Sequence, residues 1–325
     1  MATRRHKGNP RKFEYRGGLQ PPPGFDQLIS VSVDLSGPVA LWAGAADEGE
    51  ILDRAQNSGG ASFPAARTST GPQVALAAYT PGSRTPSHLT TMGALPVAHP
   101  LVQSLPDGGF LVVGARCGWR DEGPERNALV VEPDGTTRAE GTLGDGIAHM
   151  MIDASGTIWT GYFDEGIFGD LGWGGPGTQP LGAAGIVRWS LDFEKTWEYR
   201  PVLDYRLADC YTLNVSGDEV WACPYTDFPV LQIKDDLTTL HPTKGVDGPT
   251  GLLVAGDLVA FMGAYGDGGS FLLGSLGDGL LNLQRGELVM PDGQPVPRRS
   301  IICRGSLAHL FVGADWFTFD LAASL

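Results

Sequence analysis

The chain has no apolar run close to the ~18 residues a membrane-crossing helix needs. The nearest, "TGLLVAGDLVAFMGA" (250–264), is interrupted by Asp257. There is no P-loop and no G-x-S-x-G nucleophile elbow. "GWGGPG" (172–177) fits G-x-G-x-x-G, but no helical pattern follows it, so it is not a dinucleotide fingerprint. Cysteine is scarce: Cys117, Cys210, Cys223 and Cys303 are four in 325 residues, and none forms a C-x-x-C pair. Basic residues are also few, 23 Lys and Arg against 37 Asp and Glu, giving a net charge of −14. So acidic a body excludes nonspecific nucleic-acid binding. The first sixteen residues run the other way, with six Lys and Arg against one Glu. Gly, Pro, Lys and Arg follow rather than an apolar segment, so no secretory leader is read. Reduced thiols and a cytoplasmic location are the expectation.

Glycine is plentiful, 47 residues, about twice the usual share of roughly 7%. With 24 prolines and no G-X-Y period, it signals many short strands joined by tight turns. The strands repeat. A strand ending in Trp or Phe, one more residue, then Gly or Cys is the template for "LWAGAAD" (41–47), "LVVGARC" (111–117), "IWTGYFD" (158–164), "VWACPYTD" (220–227), "AFMGAYGD" (260–267) and "LFVGADW" (310–316), with Val in its place in the second. Each is preceded by a short apolar strand with a glycine turn and followed by a third strand. Most units add a fourth, more polar strand, such as "TTRAEGTL" (136–143).

Six four-stranded units of about this length are the mark of a β-propeller. The expected fold is therefore all-β, a six-bladed propeller of four-stranded antiparallel blades near 27–95, 98–143, 145–202, 206–243, 246–290 and 298–325. The sixth unit stops after its third strand, while "RKFEYRGGL" (11–19) has no partners of its own. Residues 11–19 are thus expected to close the ring, with Lys12–Arg16 as the outer strand of the last blade. A seven-bladed count is the alternative if 50–95 holds a further partial blade. Residues 1–10 are expected as a flexible basic arm, and 11–325 as a single propeller domain. "DASGTIWTG" (153–161) and, more loosely, "VSGDEVWAC" (215–223) resemble the D-x-x-G-x-[IL]-W core of propellers of the two-component-regulator and streptogramin-lyase types. That resemblance implies a fold rather than a function.

Blade topology gathers the loop after each second strand with the inter-blade loops on one face. The pattern W-x-G-x-x-D-E-G occurs there twice, ending in Asp47–Glu48 and in Asp164–Glu165. Arg116, His149, Arg206, Asp209 and Arg299 join the same rim. Three readings fit it. Asp47, Asp164, Glu165 and Asp209 could ligate Ca²⁺ or Mg²⁺. Closely held carboxylates with His149 could serve as acid and base, making His149, Asp164, Glu165 and Asp209 the catalytic candidates. Alternatively, Asp and Gly simply make good turns. Long loops in the first three units carry Trp119, Phe168 and Trp173, which with Arg116, Tyr162 and Arg206 form the expected ligand- or partner-binding set. The leading functional expectation is an intracellular propeller that binds a small molecule or protein partner at an acidic, loop-covered mouth, with no catalysis assigned. A divalent-metal-dependent hydrolase or lyase in the same mouth is the alternative. His88, His241 and His309 read as ordinary strand or turn residues, and Trp42, Trp159 and Trp221 as inter-blade core.

Overall fold

A computed structural model of the chain describes residues 10–52, 65–265, 267–277, 279–298 and 301–324. The expected arm (but for Pro10), the loop segment 53–64 and Arg299 lie outside the described residues. The chain divides into two compact units, Leu19–Tyr199 and Met1–Gly18 with Arg200–Leu325. No helix among the described residues is long and apolar enough to cross a membrane.

The unit Leu19–Tyr199 holds three four-stranded antiparallel sheets. Their strands run Gln27–Val33, Pro38–Ala43, Val74–Ala78 and His88–Met92; Pro100–Ser104, Phe110–Gly114, Ala128–Val131 and Thr137–Gly141; and Ile147–Ile152, Ile158–Tyr162, Ile186–Trp189 and Lys195–Glu198. The second strand of each sheet is buried at every position, because both of its faces are covered. This explains why these strands are continuously apolar instead of alternating. The fourth strands Thr137–Gly141 and Lys195–Glu198 are polar and largely exposed. One apolar cluster takes Leu41 and Leu76 from the first sheet and Phe110, Val112 and Leu129 from the second.

The motif at 153–161 has a local physical basis. Asp153 Oδ1 accepts the backbone N–H groups of Ser155 and Thr157, closing the hairpin turn, and its Oδ2 accepts the Trp159 indole N–H at 3.0 Å. One carboxylate therefore ties the turn to the strand tryptophan. Trp42, Trp159 and Trp221 are all buried, as expected of core.

The other unit holds the sheet Asp209–Ser216, Glu219–Tyr225, Val230–Lys234 and Leu237–His241. It also holds Gly251–Ala255, Leu258–Ala264, Asp267–Leu276 and Leu280–Val289, and a last set of Ile302–Arg304, Leu307–Val312 and Asp315–Asp320. The N-terminal strand Glu14–Gly18 pairs antiparallel with Asp315–Asp320 and completes that set. The expected strand was Lys12–Arg16. Instead Arg11–Lys12 pairs in parallel with Leu288–Val289, so one short segment serves two sheets. Between them Phe13 is buried against Phe271, Leu288 and Phe319.

A buried amide links three sets of strands in each unit. Gln103, on the first strand of its sheet, donates from Nε2 to Ser32 Oγ and Val33 O and accepts from Ile152 N–H. Asn214, likewise on a first strand, donates from Nδ2 to Leu252 O (2.8 Å) and Gly305 O (2.9 Å) and accepts from Gly305 N–H (2.7 Å). Both side chains are fully buried. Replacing either by leucine keeps the volume but orphans backbone groups. Gln103→Leu and Asn214→Leu should each cost on the order of 2–4 kcal/mol in chemical denaturation.

His309 lies buried beside Trp316, whose indole N–H donates to its Nδ1 at 3.2 Å. Burial first, then the charges of Arg304 and Arg16, push its pKa down to about 4. The unfolded chain, with an ordinary histidine pKa near 6.5, binds the proton more readily. Stability is therefore full above about pH 6.5 and falls as the pH drops toward 4. His309→Gln should flatten that part of the stability–pH curve, read from urea midpoints between pH 4 and 7.

Candidate functional site

The second copy of D-E-G begins one turn of helix, Asp164–Phe168, where a turn was expected. Its glycine is dictated by backbone proximity. A Cβ on Gly166 would lie 2.4 Å from Asp145 O, and one on Gly146 would lie 2.3 Å from Gly166 N. The first copy forms the short helix Glu48–Ile51, yet a Cβ on Gly49 would meet nothing within 4 Å. The two copies share a sequence pattern without sharing a packing constraint.

This close approach sets Glu165 beside Arg116, which follows the strand Phe110–Gly114. Arg116 is almost wholly buried. Its Nε and Nη2 donate to the two oxygens of Asp145 at 2.9 and 3.0 Å, Nη1 to Glu165 Oε2 at 2.5 Å, and Nη2 to Asp170 Oδ2 at 2.6 Å. The guanidinium also lies 5.6 Å from the centre of the Phe163 ring. Burial works against its charge, but hydrogen bonds and attraction from Asp145, with Asp170 and Glu165, more than offset this and raise its pKa. Asp145 Oδ1 additionally accepts the Cys117 N–H at 2.8 Å. One cation thus joins the loop after residue 114, the strand entry at 145 and the loop after residue 163.

Three carboxylates, Asp145, Glu165 and Asp170, offer ligand atoms within 4.8 Å of one another. Their donor chemistry would suit a hard cation. The Arg116 guanidinium already donates to all three, so an added ion would stand against a fixed positive charge. The set does not fit a metal centre with Arg116 in place.

The expected residues distribute as follows. Arg116 and Glu165 are in direct contact. Trp119 and Trp173 meet edge to face at 4.9 Å, and Trp173 is buried with its indole N–H on Cys117 O at 2.7 Å. Trp119 N–H donates to Leu171 O, which fastens the two loops together. Phe168 is 65% exposed. Tyr162 is fully buried, with its hydroxyl donating to Leu143 O and accepting from Thr160, so it supports the corner from below. Asp164 is exposed and accepts the Glu165 N–H. His149 sits on the strand Ile147–Ile152 opposite Gly161 and is not one of the three clustered ligands. Asp47 precedes the helix Glu48–Ile51, its carbonyl accepting the Ile51 N–H.

Arg206 and Asp209 belong to the other unit, where Arg206 is exposed. Asp209 stands near Tyr211, whose pKa is raised by burial first, then by its hydrogen bond to Tyr265 and neighbouring charges including Asp209. The two hydroxyls are 2.7 Å apart. Tyr225 and Tyr265, 42% and 56% exposed, each touch Tyr211 and Phe228. The sequence reading missed this aromatic group and also missed Asp170. Tyr225 and Tyr265 were legible as residues ending or following second strands, Tyr211 lies within a first strand, and Asp170 had no distinguishing spacing.

No protein-family model matches the chain, and no curated protein matches it. Similar solved structures include the extracellular domain of BT4673 from B. thetaiotaomicron (12% identity, 98% of this chain and 42% of that one, TM-score 0.43). BamB from Moraxella catarrhalis has 11% identity over 91% of this chain and 86% of its own, with a TM-score of 0.46. The beta-propeller domain of Cps50 (Swd1) from Myceliophteria thermophila has 10% identity over 95% and 99%, with a TM-score of 0.45. The chain spans less than half the length of the first of these.

Gly166→Ala should destabilise the protein by about 1–3 kcal/mol, because the clash is with backbone. Gly49→Ala should be neutral or stabilising by up to about 1 kcal/mol, since alanine favours the helix. Paired urea titrations of the two variants check this contrast.

Proposed function

We propose that the chain is a six-bladed β-propeller, closed by its N-terminal strand, that works as a non-catalytic binding module for a protein partner inside the cell. The repeated four-stranded sheets and the pairing of Glu14–Gly18 with the last strand support the architecture. The observation that carries the binding reading is the Arg116 clamp. Of the metal and acid–base candidates, Glu165 is spent, with Asp145 and Asp170, holding two long loops in one shape. A loop fixed in advance loses little entropy when a partner binds. It presents exposed Phe168 beside the partly exposed carboxylates of Glu165 and Asp170. An apolar anchor rimmed by acids suits a partner surface with a basic rim. The four buried, unpaired thiols agree with a reducing compartment.

The metal-dependent alternative rests on the same three carboxylates, and one experiment separates the two. Thermal unfolding is followed with added CaCl₂ or MgCl₂ and after dialysis against chelator, in wild type and Asp170→Asn. The binding reading expects an unchanged Tm in wild type. A rise of several degrees with either ion, lost in Asp170→Asn, would establish the metal reading. For the binding face, Phe168→Asp should fold with wild-type Tm but lose the partner that wild type retains in pull-down. Retention by both proteins would remove Phe168 from the interface.

A further inference from the structure

The unit that includes Arg200–Leu325 contains a cavity of about 550 Å³, within the range of small-molecule sites. It takes Ser216, Glu219, Gly256 and Asp257 from the first hairpin turns of the sheets Asp209–His241 and Gly251–Val289, Leu276 and Gly277 from a later turn, and His241 from the far end of the strand Leu237–His241. Its polar lining comes from Ser216, Glu219, Gln232, His241 and Asp257, and Trp221 forms part of the wall. Among the described residues no Lys or Arg lines it.

These groups form an excess of acceptors. Lys234 Nζ holds Glu219 Oε1 at 2.8 Å, which leaves the other carboxylate oxygen open to a donor. Asp257 is exposed at its turn. His241 Nδ1 lies 3.4 Å from Gly277 O. A carbonyl can only accept, so Nδ1 carries the proton in that contact, and in the neutral ring Nε2 holds the lone pair. Nε2 is shielded from solvent and has no hydrogen-bond partner among the described residues, a costly state unless something donates to it. A ligand here must bring N–H donors; Glu219 is already balanced by Lys234, and Asp257, in a chain of charge −14, favours a ligand that is positively charged. A neutral polyol would bring donors but gain nothing from the charge. An aromatic wall adds attraction for a cation.

We propose that this cavity binds a small organic cation with N–H donors, an ammonium or guanidinium, held by Asp257, Glu219 and His241 Nε2. The assignment does not depend on the binding face at Phe168. The same chemistry could arrive on a free amine or on an arginine side chain of a peptide.

Isothermal titration of the full chain with agmatine, which carries both groups, tests the site, with N-acetyl-Gly-Arg-Gly amide and glucose as further arms. Agmatine should bind, and Asp257→Asn and His241→Phe should each weaken binding at least tenfold with Tm unchanged. Should His241→Phe fail to fold, Asp257→Asn, on an exposed turn, decides alone. Tenfold tighter binding of the peptide supports the site with a chain-borne cation as its ligand. No heat up to 10 mM agmatine on folded wild type, binding of glucose instead, or agmatine affinity untouched by Asp257→Asn would each overturn the proposal.

Discussion

Two buried amides set the register on which the rest of the structure relies. Apolar faces attract without direction, so sheets with two such faces stack readily but in many offsets. Gln103 and Asn214 remove that freedom. Each satisfies backbone groups on the two neighbouring sheets, and a shift of one residue would strand those groups in a dry interior. Both occupy first strands, where three sets of strands come near enough for one side chain to span them. Burial supplies the cohesion in each unit, and a single amide supplies its alignment.

Arg116 performs a comparable role for the loops. Isolated carboxylates within 4.8 Å would repel one another in a partly buried corner. A guanidinium answers all three with a planar fork of donors. The arrangement resembles a metal site in its ligand chemistry, with a covalently tethered cation in place of an exchangeable one. A tethered cation cannot leave, so the corner keeps its shape without depending on a metal supply. It also offers no open coordination position at which a substrate could be polarised.

Much of the strand order was legible because the sheets repeat one local rule: a glycine turn, then a largely apolar strand, anchored by tryptophan in three of them. Asp153 and Trp159 show the rule in atomic detail. The orphan segment before the first repeat also disclosed the N-terminal strand paired with the last set, displaced by two residues because Phe13 sinks into the core and divides the segment between two sheets. What escaped was long-range. Arg116 meets Asp170 across 54 positions, and nothing in local spacing marks such a pair. The D-E-G motif read as a turn because a single helical turn leaves no periodicity. A polar residue within a strand, such as Asn214, reads as outward-facing, and only the packed neighbours show that it points inward.

The four cysteines allow these arrangements to be followed without added probes. Each thiol is buried and its pKa raised by burial, to about 12 for Cys303. Alkylating reagents attack the thiolate, so the closed protein is nearly inert to them and reaction waits on local opening. Cys117 follows Arg116 directly in the chain, and Cys303 pairs across from Asn214. The alkylation rate of the first thiol therefore reports how often the clamped loops part. That of the second reports how often the amide-stitched sheets separate.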